Sequence, residues 1–95
     1  MDGEKIVIDG RSFIGFAVAT PHTNVLLIRA ARGFLGCGYF SLETAEKVGD
    51  ALAVVSGVGN FDDMLRAPVK AVSAAAAALG VRSGMTGREA LLLLA

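Results

Sequence analysis

Apolar positions fall into short β-branched runs through the first forty residues and into longer, helix-like stretches after them. "KIVI" at 5–8 is followed by Asp9-Gly10 and then by "RSFIGFAVAT" at 11–20. Asp-Gly between two apolar runs is a strong signal for a two-residue hairpin turn. "PHT" at 21–23 interrupts the chain, "NVLLIRA" at 24–30 reads as a third strand, "ARG" at 31–33 turns, and "FLGCGYF" at 34–40 reads as a fourth. Residues 1–40 are therefore expected to form an antiparallel meander.

These strands do not alternate apolar with polar. In 13–19 one face carries Phe13, Gly15, Ala17 and Ala19, the other Ile14, Phe16 and Val18; in 25–28 both faces are apolar. A sheet wetted on one side shows apolar-in, polar-out alternation, so this one is expected to be covered twice, by its own helices and by a neighbouring subunit. The expected subunit interface comprises Phe13, Ile14, Phe16, Val18, Leu26 and Ile28.

The second half is mostly helical. "SLETAEKVGD" at 41–50 has Ser41 as a cap, Glu43 in the first turn and Gly49 as the stop. A fifth strand is expected at 51–58, then a helix at 60–67 capped by Asn60, and after Pro68 a helix over 69–80. "TGREALLLLA" opens with a capping box, Thr86 to Glu89. The pattern predicts a single domain over 1–95 of the α+β class: an N-terminal antiparallel sheet of about five strands and a helical C-terminal third. Residues 1–40 are its β-rich oligomerisation region; residues 41–95 are mixed, mostly helical.

Composition supports the second cover. Hydrophobic side chains make up 54% of 95 residues, and mean hydropathy is +0.59. A chain this short buries a modest core, so the excess is expected in a subunit contact. A membrane span is not expected, since no uncharged run gives the roughly 20 apolar residues required, and the acidic start is unlike a signal peptide. Nine basic and nine acidic residues balance, with four and three of them in the first forty positions. No basic patch points to nucleic acid or an anionic surface. A single cysteine fits a reducing compartment, and the cytoplasm is the expected location.

Candidate chemistry is sparse. Cys37 is the lone cysteine and His22 the lone histidine. As a catalytic pair, Cys37 would be the nucleophile, with His22 or a nearby arginine lowering its pKa. As structure, Cys37 is a small buried apolar residue and His22 a polar turn residue. Asn24, Arg29, Gly36 and Gly38 are the candidate ligand-binding positions around the thiol. One histidine and one cysteine fall short of a metal site, and no cofactor motif is present. "SGVGN" at 56–60 resembles a phosphate-cradling turn, but Asp62 stands where the dinucleotide pattern needs a third glycine, and Asp62 and Asp63 repel an anion. Its glycines are expected to serve the turn.

The stretches "PHTNVLLI", "GFLGCGYF", "GVGNFDDML", "APVKAV" and "LGVRSGMTGREALLLL", in that order, resemble the YunC-like family of small bacterial and archaeal proteins, built on a domain of unknown function. The resemblance covers most of 21–94. It implies an α+β fold whose N-terminal β region mediates tetramerisation, and it brings no established activity. The family pattern carries a cysteine, a glycine and an asparagine at Cys37, Gly38 and Asn24, as positions without assigned roles. The expectation is an uncharacterised homo-oligomer, tetramer preferred, acting as a binding or scaffold module, with an unidentified small molecule as a possible partner. A small thiol-dependent enzyme using Cys37 is the alternative.

Overall fold

The computed structural model describes residues 3–95. Six strands form one sheet in chain order: β1 (Glu4–Ile8), β2 (Arg11–Ala19), β3 (Asn24–Arg29), β4 (Phe34–Gly36), β5 (Leu52–Val54) and β6 (Ala71–Val72). All neighbours are antiparallel except β4 and β5, which run parallel. Helix α1 (Leu42–Val48) makes the crossover between those two, since parallel strands cannot be joined by a tight turn. Helices α2 (Phe61–Arg66), α3 (Ala74–Ala78) and α4 (Gly87–Leu94) complete the chain. The fold is α+β, as the pattern predicted. Among the described residues, no helix is long and apolar enough to cross a membrane.

Local signals account for most of the boundaries. Asp9 and Gly10 both have positive φ, at 51° and 79°, as a type I′ turn between paired Ile8 and Arg11 requires. Ser41 and Asn60 cap α1 and α2 through their side-chain oxygens, and Gly49 ends α1 in the left-handed region. Thr86 and Glu89 exchange both bonds of the capping box at the start of α4.

The expected helix over 69–80 does not form as one element. Its first part pairs with β5: the Lys70 and Ser73 amides donate to the Val54 and Leu52 carbonyls at 2.8 and 2.9 Å. Helix begins only after Ser73, whose hydroxyl accepts from the Ala76 amide. Satisfying the open edge of a buried strand outweighs the helix propensity of a few residues. Two strands are also shorter than expected. The chain turns after β4, with the Phe40 amide donating to the Cys37 carbonyl, and β5 ends at Val54.

The sheet's two faces are covered differently. Phe13, Leu26, Ile28, Leu35, Ala53 and Val55 face the main core together with Met64 of α2 and Ala90, Leu91 and Leu94 of α4. Gly87 lets α4 approach closely, since a Cβ there would collide with the Met64 carbonyl and lie 2.8 Å from Leu35. On the opposite face, α1 covers only β4 and β5, over Phe34, Phe40 and Leu52. Over β2 and β3 no helix of the described chain covers that outer face; only Gly3, beside Ile14 and Phe16, and the Arg29 guanidinium over the Phe16 ring approach it. There the register aligns Phe16 with Leu27 and Val18 with Val25, and Ile14 and Val18 are 37% and 41% exposed.

This geometry corrects half of the expected interface. Phe13, Leu26 and Ile28 are at most 2% exposed because they point at the subunit's own helices. Only Ile14, Phe16 and Val18 lie on the uncovered face.

Two exposed carboxylates make stability depend on acid. The Thr86 backbone amide and then its hydroxyl hold Glu89 below the usual glutamate range. The Gly59 amide and then Arg66 do the same for Asp63. A carboxyl whose folded pKa is depressed adds stability above its unfolded pKa and loses it as pH falls through the folded one. Tm is therefore expected to fall as pH drops below about 4, and Glu89→Gln is expected to flatten part of that fall. Melting curves across the acid range check this; an identical acid limb in Glu89→Gln would contradict it.

Candidate functional site

Because β4 and β5 are parallel, their carboxyl ends open at the same edge of the sheet. From there the chain goes to opposite sides: β4 leads to α1 on the outer face, β5 to α2 on the core face. A crevice outside the carboxyl ends of parallel strands, where successive connections diverge, is the common ligand position in open α/β sheets. Here it holds a pocket of about 520 Å³, within the range that takes small molecules. Gly38 and Tyr39 enter it from the first connection, Ser56, Gly57 and Val58 from the second, Thr23 from the β2–β3 turn and Asn24 from the start of β3. Cys37 contributes to the wall between them.

Cys37 is 5% exposed. Its amide donates to the Leu26 carbonyl at 3.0 Å, and its Sγ accepts from the Leu26 amide at 3.3 Å. The thiol therefore extends the β3–β4 ladder past the end of β4, satisfying a buried N–H that would otherwise lack a partner. It lines the pocket while being held by the backbone behind it.

The other expected site residues separate. Asn24 and Gly38 line the pocket with Cys37. Gly36 does not, since a Cβ on it would stand 2.7 Å from the Phe40 ring; it is a packing glycine. Arg29 ends β3, roughly 17 Å along the strand from Asn24 at about 3.3 Å per residue, with its guanidinium 5.9 Å above the Phe16 ring. Arg32 donates to the Leu93 and Ala95 carbonyls at the end of α4, at 2.7 and 3.1 Å. Neither arginine is beside Cys37. His22 is exposed in the β2–β3 turn, where its amide donates to the Thr20 hydroxyl at 3.4 Å; it is not part of the pocket lining. Among the described residues, no three His, Cys, Asp or Glu side chains gather as metal ligands.

Thr23, Tyr39, Ser56, Gly57 and Val58 are pocket residues that sequence reasoning missed. The one signal for them was the "SGVGN" turn. Gly57 does serve that turn, with φ of 72°, and the Gly59 amide donates to Asp63, which takes the place an anion would need.

The structure thus defines a small α+β protein with one mixed sheet, an uncovered apolar sheet face and a pocket at the carboxyl ends of its parallel pair. The family described as "Domain of unknown function (DUF1805)" matches residues 36–94, and the chain belongs to that YunC-like family. It is 35% identical over 91 residues to the uncharacterized protein YunC of Bacillus subtilis (strain 168), covering 92% of this chain and 90% of that one. The crystal structure of a protein of unknown function, TA1206 from Thermoplasma acidophilum, superposes with a TM-score of 0.93 at 33% identity, covering 99% of this chain and 92% of that one.

Proposed function

We propose that the protein is a homo-oligomeric small-molecule-binding module, preferentially a tetramer. The observation that carries assembly is the apolar outer face of β2 and β3, with Ile14, Phe16 and Val18 beside Val25 and Leu27. A contiguous apolar patch of this kind marks an interaction surface, and the resemblance to the YunC-like family makes a tetramer the preferred state. The pocket supplies the binding site. One free cysteine, with no disulfide among the described residues, favours the cytoplasm. Sedimentation at micromolar concentration is expected to give a multiple of the 9.7 kDa chain mass; a clean monomer would sink the reading of the outer face.

A thiol-dependent enzyme is the second reading, because Cys37 lines the pocket. The burial of the thiol and the absence of His22, Arg29 and Arg32 from its surroundings favour binding instead. Alkylation of native Cys37 is expected to be much slower than in the unfolded chain at every pH up to about 9. Fast native alkylation with an apparent pKa well below about 8.5 would put the enzyme reading first.

A further inference from the structure

The pocket's lining names the kind of molecule it suits. None of its eight residues is Lys, Arg, His, Asp or Glu. A charged group would find no counter-ion in this open lining, and Asp62 and Asp63 stand in the first turn of α2 just beyond the loop. What the pocket offers is neutral hydrogen bonding of both signs. The Asn24 carboxamide and the Ser56 hydroxyl make no hydrogen bond to other groups among the described residues, and neither do the backbone amides of Gly38, Ser56, Gly57 and Val58.

Gly38 adds an independent observation. Its φ is not in the left-handed region, and a Cβ on it would meet only Ser56, at an ordinary 3.8 Å. The fold does not require a glycine there, and glycine carries an entropic cost. Its missing side chain leaves the space between Gly38 and Ser56 open.

We propose that this pocket binds an uncharged small molecule presenting a cis-amide edge, as in a lactam or cyclic imide. Asn24 pairs with the edge's N–H and C=O, as a carboxamide does with any group offering one donor beside one acceptor. The amides at 56–58 donate to its carbonyl oxygen. This rests on the binding-module reading and adds the ligand class.

The test is a titration of the ¹⁵N-labelled protein with glutarimide and 2-pyrrolidinone, with cyclopentanone, acetate and inorganic phosphate as comparisons. Saturable shifts of the Gly38, Ser56 and Gly57 amides are expected with the first two probes, with about ten-fold weaker binding of cyclopentanone, which lacks the N–H. Gly38→Val is expected to melt near the wild-type temperature and lose the response. Asn24→Ala, an independent variant should Gly38→Val not fold, is expected to bind glutarimide no better than cyclopentanone. If acetate or phosphate moves these amides at lower concentration than the imide does, the ligand class is overturned and the pocket remains a binding site. If no probe moves them, or if folded Gly38→Val responds like the wild type, both the ligand class and the pocket as a binding site fall.

Discussion

Aspartate at Ile28 is expected to unfold the protein, whereas aspartate at Phe16 is expected to leave it folded and to split the oligomer. Both residues lie in the β2–β3 ladder, where Ile28 is level with Gly15 and Phe16 with Leu27. Ile28 is fully buried in the core shared with Leu35 and Leu91. A carboxylate there loses the apolar contacts and is desolvated without a partner. Together these cost about 4–5 kcal/mol or more, against a total stability of about 5–15 kcal/mol for a domain. Phe16 sits on the outer face, half-buried under the Arg29 guanidinium. In a lone subunit an aspartate at that position keeps its water. Between two apolar faces it does not, and a cost of about 3–4 kcal/mol weakens association by roughly a hundred- to a thousand-fold. Circular dichroism and sedimentation on the two variants separate the effects. An intact oligomer of Phe16→Asp would remove the outer face from the interface, and a folded Ile28→Asp would contradict the core.

Ser73→Ala is expected to cost about 2–4 kcal/mol of folding stability, second only to Ile28→Asp among the effects on the folded subunit. Ser73 is fully buried. Its hydroxyl accepts from the Leu52 amide at 2.9 Å and the Ala76 amide at 3.3 Å, and donates to the Asp50 carbonyl at 2.8 Å. The side chain thus joins the start of β5, the end of α1's connection and the first turn of α3. Alanine leaves the Leu52 amide buried without a partner, at about 1–3 kcal/mol, and removes a helix cap worth about 1 kcal/mol. Glu46 still accepts from the Ala74 amide, so part of the cap survives. Denaturant melts of the variant measure the loss. A value below about 1 kcal/mol would show that the neighbouring groups find other partners.

Ser73 also illustrates where the sequence stops being legible. A run of five alanines after it reads as helix from local propensity, and residues 69–72 are drawn into that reading. Nothing local reveals that β5 has an open edge that takes Lys70 and Ser73 as donors. Propensity differences are tenths of a kilocalorie per residue, so an edge with unmet backbone groups decides the outcome. The same limit applies to the two apolar faces of β2 and β3. A pattern apolar on both sides announces two covers without saying which face turns toward the subunit's own helices. That was settled by α2 and α4, which pack against Phe13, Leu26 and Ile28 and leave Ile14, Phe16 and Val18 outside.

By itself the sequence determined the parts whose physics is local. Asp9-Gly10 set the hairpin because the turn needs two residues that tolerate positive φ. Ser41, Asn60 and the Thr86–Glu89 pair set the helix starts because their side chains reach amides three positions on. It also carried the α+β class and the family resemblance. Only the tertiary structure decided the parallel pairing of β4 with β5, the identity of the core face and the pocket. That pocket draws on residues 23–24, 37–39 and 56–58, three segments that meet because strand ends distant in sequence share one edge of the sheet. Cys37 and Asn24 could be singled out by type and by resemblance, but their neighbourhood is a product of strand register, which depends on contacts across the whole chain rather than on the residues beside them.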